Sequence, residues 1–132
     1  MKTLNLKRKQ GFTIIELMIV LVIVAILLAL AYPSYVNYVR KANRGDAQQA
    51  LMNWSVNQEI WRSNNTGYNG TDALKPTDTN KYQYSVAAAA NTYTLTATAQ
   101  GDQVNDKARG GDVCSPLTLN QNGQKLPANC WE

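Results

Sequence analysis

From Phe12 to Tyr32 the chain carries a single charged residue, Glu16, and from Leu17 to Tyr32 it has no charged or strongly polar side chain at all. A helix of that composition is apolar on every side and must be covered by lipid or by other helices. Counted from Phe12, the run matches the ~20 residues that cross a bilayer core. Glu16 is the exception, because a carboxylate at the centre of a membrane helix costs on the order of 2.5–3.5 kcal/mol and normally has a cationic partner. The run holds no Lys or Arg, and Lys9 lies beyond the i,i+4 reach of Glu16. Proteolysis can supply the missing cation. A cut between Gly11 and Phe12 exposes an α-amine that is protonated near neutral pH, and Glu16 of one copy can then neutralise the amine of another.

A short basic leader followed by Gly11-Phe12, Thr13-Ile14-Ile15-Glu16-Leu17 and a long apolar run resembles the N-terminus of the type IV prepilin family. The resemblance implies cleavage after Gly11 by a prepilin peptidase that also methylates Phe12, and a role for Glu16 in guiding subunit assembly. It covers Lys7 to Tyr35 closely and the remainder loosely, and pilins share this segment with the pseudopilins of secretion systems. The competing reading is a secretory signal peptide or a plain anchor. Lys2, Lys7, Arg8 and Lys9 make a basic n-region, and Ala29-Leu30-Ala31 fits the small-residue cleavage pattern. Against it stand an apolar run longer than the usual ~7–15 residues and the acid near its start.

The 132 residues leave room for one such helix and one small head. The expected division is a cleaved leader over 1–11, an apolar transmembrane or filament-core helix over 12–39, and a head over 40–132. A small head buries a limited share of its surface. A bridge between Cys114 and Cys130 would add on the order of 3 kcal/mol in the chain-entropy model and would place the head in an oxidising compartment. The alternative is a free, buried pair. Two thiols and no histidine are too few ligands for a structural zinc.

The net charge of +4 comes entirely from Lys2, Lys7, Arg8 and Lys9; without those four, nine basic residues face nine acidic ones. Composition therefore provides no basic face for DNA. The leader cations instead favour a cytoplasmic N-terminus, a bias moderated by Arg40, Lys41 and Arg44 beyond the run.

Along the chain, Ala25 and Ala29 form an i,i+4 small pair that either permits close helix approach or merely favours helix. Pro33 removes one backbone hydrogen bond and predicts a kink or a locally extended stretch. Gly45 is a second soft position, costing ~1 kcal/mol relative to alanine. Tyr32, Tyr35 and Tyr38 suit either a membrane interface or packing between subunits. From Asp46, a stripe of Ala47, Ala50, Leu51, Trp54 and Trp61, with Ile60 beside it, predicts an amphipathic half lying on a sheet. Asn64-Asn65-Thr66-Gly67 should stop the helix. A turn-rich loop over 65–80 follows, to which the sequence assigns no ligand. Asn53-Trp54-Ser55 and Asn69-Gly70-Thr71 match the glycosylation sequon and carry little weight.

Period-two patterns at Tyr82, Tyr84 and Val86, and at Tyr93, Leu95, Ala97 and Ala99, predict an antiparallel hairpin turning over Ala89 to Asn91. Gly101 to Gln103 and Asp106 to Asp112 read as loops, and the spacing of Asp102, Asp106 and Asp112 fits no calcium loop. Pro116 to Asn120 predicts a third strand, and Asn122-Gly123 turns it into a fourth at Gln124-Lys125-Leu126. The segment from Cys114 to Trp131 resembles, more loosely, the C-terminal disulfide loop of small, particularly minor, type IV pilins. The expected fold is α+β: one long N-terminal helix packed on an antiparallel sheet of about four strands, ending in a disulfide loop.

Nothing in the side-chain inventory assembles a catalytic or metal site: there is no histidine, no nucleophile elbow and no phosphate loop. No cofactor is expected. The expected function is a structural subunit, a minor pilin by its brevity and its Cys130-Trp131 ending, in a pilus that serves twitching motility, adhesion or DNA uptake. Its partners would be other pilin subunits, the prepilin peptidase and methyltransferase, and inner-membrane lipid before assembly. A secretion pseudopilin, or a minor pilin whose head binds DNA or a surface, are the other readings.

Overall fold

A computed structural model describes residues 11–131. The basic leader expected over 1–11 therefore lies, apart from Gly11, outside the described residues. By its internal contacts the chain divides into a unit ending at Val36 and a unit that starts at Asn37.

The first element is helix α1, Ile14–Ser63. It starts two residues after Phe12 because Thr13 caps it: the Glu16 amide donates to Thr13 Oγ1 at 3.2 Å and the Leu17 amide to the Thr13 carbonyl at 3.3 Å. Thr13-Ile14-Ile15-Glu16 has the spacing of a capping box. Contrary to the extended stretch expected at Pro33, the helix assignment continues unbroken through Pro33 and through Gly45. Proline removes one main-chain bond, and the helix on either side keeps its own.

In the unit from Asn37 onward, α1 buries Arg44, Ala47, Leu51, Trp54 and Gln58, spaced alternately three and four residues apart. This corrects the expected stripe at both ends. Arg44 extends it towards the N-terminus, and Gln58 takes the place expected for Trp61 and Ile60, which are exposed. Gln58 is admitted because it is satisfied like a backbone unit: its Nε2 donates to the Asn69 carbonyl and its Oε1 accepts from the Asn69 amide, both at 2.8 Å. That pair pins the first part of the loop to the helix. Asn69 is consequently buried, and its Oδ1 accepts from the amide and hydroxyl of Thr71.

The sheet is an antiparallel meander of β1 (Tyr82–Ala88), β2 (Tyr93–Ala99), β3 (Leu117–Asn120) and β4 (Lys125–Leu126), in spatial order β1-β2-β3-β4. In β1 the alternation runs past Val86 to Ala88, because Ala88 still pairs with Tyr93. Tyr82, Tyr84, Tyr93, Leu95, Ala97, Leu117 and Leu119 point into the core together with Ala47, Leu51 and Trp54 of α1. The hairpin turns where the Ala89 amide donates to the Thr92 carbonyl. Gly67 lies against this turn so closely that a β-carbon there would meet Ala90 Cα at 3.1 Å. Gly123, at φ +72°, supplies the left-handed residue that the turn before β4 requires. Cys114 and Cys130 are joined in a disulfide, and both are fully buried.

The segment expected as a loop at Gly101 to Gln103 is instead a short 3-10 turn, Gly101–Asn105. Its buried Gln103 organises it, with Nε2 donating to the Arg40 carbonyl at 2.9 Å and to the Tyr82 hydroxyl at 3.1 Å, while Oε1 accepts from Asn43. Burial pushes the Tyr82 phenol up to about 12.

Candidate functional site

Two groups of residues carry chemistry that the fold alone does not need. The first is the segment Gly11–Glu16 with the apolar run behind it. Phe12 and Ile14 are each 83% exposed, and every large apolar residue from Ile15 to Leu30 is exposed as well. Among the described residues, α1 is the one helix long and apolar enough to cross a membrane, and none of its most apolar window is buried. Glu16 has no cationic partner among the described residues. Its backbone is held by Thr13, a local contact for which the Thr-x-x-Glu spacing was the sequence signal.

The second group surrounds the disulfide. Arg44 Nη1 donates to Asp106 Oδ2 at 3.0 Å, to Cys114 Sγ at 3.0 Å and to the Lys107 carbonyl at 3.4 Å. Both members of the Arg44–Asp106 ion pair are buried. Burial pushes the Asp106 carboxyl above the ordinary aspartate value, against the pull of Arg44. One turn earlier on α1, Arg40 grips both carboxylate oxygens of Asp102 at 2.9 and 2.8 Å, which holds Asp102 below its ordinary value. Gln48 donates to the Cys130 carbonyl. The helix thus reaches both halves of the disulfide and both of the first two loop acids. Asp112 is turned elsewhere, accepting from Asn129 Nδ2 at 2.6 Å. The three aspartates do not converge, and the described residues include no cluster of metal-ligating side chains.

Arg44 was legible only as a charge beyond the apolar run; nothing in its spacing marks it as buried. Tyr32, Tyr35 and Tyr38 all stand exposed.

An apolar, capped N-terminal helix with an amphipathic continuation on a four-stranded meander and a terminal disulfide is the architecture of a pilin. Residues 33–118 match the family model described as Type IV minor pilin ComP, DNA uptake sequence receptor, and residues 6–32 match the prokaryotic N-terminal methylation motif. The chain belongs to the type IV pilin family.

It is 34% identical to a fimbrial protein of Neisseria meningitidis over 77% of this chain and 62% of that protein. It is 32% identical to the prepilin peptidase-dependent protein D of Escherichia coli over 67% of this chain and 64% of that one. The chain therefore spans less than two thirds of the length of these relatives. Fimbrial protein EcpC of Eikenella corrodens aligns at 29% identity over 92% of this chain and 90% of its own. Among solved structures, a type IV pilin from Shewanella oneidensis superposes with a TM-score of 0.56 at 27% identity, covering 70% of this chain and 98% of that one.

Proposed function

We propose that the chain is a minor structural subunit of a type IV pilus, with no catalytic activity of its own. It is cut between Gly11 and Phe12 by prepilin peptidase and methylated at Phe12. It waits as a single-pass inner-membrane protein with its N-terminus in the cytoplasm, and polymerises through the helix into an extracellular filament. The observation that carries this reading is the wholly exposed apolar run with one carboxylate, Glu16, near its start. A filament core keeps the run out of water as the bilayer does, so it is close packing against neighbouring helices, rather than transfer from water, that favours assembly. A buried carboxylate is tolerated there when a positive amine meets it. Sequencing the polypeptide recovered from sheared pili tests the reading. A start at N-methylated Phe12 is expected, and a start at Tyr32 overturns it.

The match over residues 33–118 is to the minor-pilin DNA receptor family, and it falls mainly on the head rather than the anchor. That favours DNA uptake over a secretion pseudopilus as the task of the assembled subunit. Transformation should fall in a deletion strain while enzyme secretion is unchanged. Duplex DNA should shift the mobility of the full chain at low salt and lose that effect as salt rises.

A further inference from the structure

In the head, a groove lies between α1 and the segment that leads to β1. It consists of two adjoining clefts that share Asn57 and Leu74, one of about 380 Å³ beside Asn53 and Trp54, the other of about 330 Å³ beside Trp61 and Asn64. Each is of the size that small-molecule sites have, roughly 300–1,000 Å³. The helical wall follows from spacing, since Asn53, Asn57 and Trp61 stand four residues apart and form one ridge. The facing wall is Leu74 to Thr77. That wall is tied at both ends: Gln58 pins Asn69, and Asp78 accepts from the Tyr84 amide and from Lys75 Nζ. Between the ties, the turn Asp72–Leu74 is capped by Thr71, and Leu74 packs against the core. A ligand therefore meets walls that are already in place, which lowers the ordering cost of binding.

The groove is neutral. Lys75 is the one charged residue among the described residues that line it, and it is paired with Asp78 at 2.9 Å. Asp72 of the same segment is not part of the lining. The other nearby charges of α1 are engaged elsewhere, Arg62 with the Ala90 carbonyl and Asn91, and Glu59 with the Tyr68 hydroxyl. What the groove presents instead is amide and indole. The side-chain amides of Asn53 and Asn57 make no hydrogen bond among the described residues. Those of Asn64 and Asn65 use Nδ2 alone and leave Oδ1 to accept. Trp61 is 37% exposed among them, and Leu74 and Pro76 add apolar surface from the facing wall.

Each free amide is both donor and acceptor, so the groove complements uncharged groups that are also both, carried on a ring with an apolar C–H face. Sugar hydroxyls on a pyranose have that character. A phosphodiester would find no free cation here, and an apolar helix would leave the amides unpaired, at a cost. From Asn53 to Asn64 the helix rises ~17 Å at 1.5 Å per residue, which is longer than a single sugar ring. We propose that this groove binds a neutral oligosaccharide, with a ring against Trp61 and hydroxyls on Asn53 and Asn57. The ligand goes beyond the proposed pilus role and is independent of DNA uptake: it would let the head hold a polysaccharide surface.

The test applies the full chain, in micelles of a detergent without a sugar headgroup, to a printed array of neutral, sialylated and sulfated oligosaccharides. Retention on a neutral oligosaccharide, unchanged as salt rises, is expected because no charge takes part. Trp61→Ala, and Asn53→Ala with Asn57→Ala, should each weaken that binding about tenfold or more. All three side chains are exposed, and alanine is the better helix former at each position, so thermal midpoints should match the wild type. Should Trp61→Ala melt early, the asparagine pair alone decides. Gln83→Ala, at an exposed position of β1, should bind as the wild type does. Absence of any retained neutral oligosaccharide, or retention that the asparagine pair keeps, overturns the groove as a sugar site. Retention of sialylated or sulfated oligosaccharides alone, lost as salt rises, overturns the neutral ligand. Duplex DNA that binds and is lost in the same variants, with no neutral oligosaccharide retained, assigns the groove to nucleic acid and likewise overturns the proposal.

Discussion

Arg44 Nη1 sits 3.0 Å from Asp106 Oδ2, and both side chains are buried, so the helix and the loop before the disulfide are joined by a charge pair that water does not screen. The same nitrogen reaches Cys114 Sγ. A pair of this kind adds little over a well-packed apolar couple, but breaking it is expensive because one charge is left buried and alone. Arg44→Met should therefore cost about 3–5 kcal/mol, and Arg44→Met with Asp106→Leu should recover most of it. Urea unfolding of the two variants of the full chain in detergent is the check. A double variant no better than the single would mean that Arg44 acts through its contacts with Cys114 and Lys107.

The role of Glu16 can be separated from its place in the helix cap. Gln is as good as Glu in a capping box, and only Glu carries the charge needed to meet an α-amine. We expect Glu16→Gln to enter the membrane normally and to reduce incorporation into pili by about tenfold or more, as the cost of an unmatched charge implies. Thr13→Ala should cost about 1 kcal/mol of local helix stability and leave incorporation largely intact. Immunoblotting of sheared pili against membrane fractions measures both, and normal incorporation of the glutamine variant would remove the electrostatic role.

Trp54 is fully enclosed between α1 and the sheet, and its Nε1 has no hydrogen-bond partner among the described residues. An unsatisfied buried donor costs about 1–3 kcal/mol. Trp54→Phe removes that donor along with some volume and should change stability by less than about 1.5 kcal/mol. Trp54→Ala should lose about 3–5 kcal/mol. Thermal unfolding of the pair would expose a hidden partner for the indole if the phenylalanine variant fell nearly as far as the alanine one.

The disulfide closes a segment with a sequence separation of 16. In the chain-entropy model such a loop contributes about 3 kcal/mol. Cys114→Ala with Cys130→Ala should lose about that much and should make unfolding of the remaining protein insensitive to dithiothreitol. Unchanged stability would show that the Arg44, Gln48 and backbone bonds already hold the segment shut.

Acid should act in two opposite ways. Asp78, bonded to the Tyr84 amide and Lys75, and Asp102, bonded to Arg40, are both held below the ordinary aspartate value. Their contribution is present above the unfolded value of about 3.9 and is lost as pH falls through their lower folded values, so this loss lies below about pH 4. Asp106 is shifted upward, so the folded state binds its proton first and the burial cost is relieved as pH falls. In a pH series of urea midpoints, Asp102→Asn should flatten the acid limb, whereas Asp106→Asn should remove an opposing rise. Parallel curves for the wild type and Asp102→Asn would contradict the assignment.

The N-terminal helix, the hairpin strands and the turn at Asn122-Gly123 were readable because each rests on local chemistry: an apolar run, a period of two, a residue that tolerates positive φ. The two cysteines were readable as a bridge because only one pairing exists. The Thr13 cap was written in the spacing to Glu16 and is easily overlooked beside the charge. Three features were not legible in this way. Gln58 looks like a solvent residue until Asn69 folds back to present both its amide and its carbonyl. Gln103 looks like part of a loop until Arg40, Asn43 and Tyr82 surround it. Arg44 and Asp106 stand 62 residues apart in sequence, and neither neighbourhood announces the other.

What the sequence determined alone was the segment that must leave water, the acid within it and the type of each regular element, since these depend on composition and period within a few turns of chain. Which polar groups could be buried, and against whom, was decided only by tertiary structure. A buried charge or amide is affordable when its partner arrives from a distant segment at hydrogen-bonding range, and that meeting is a property of the folded chain.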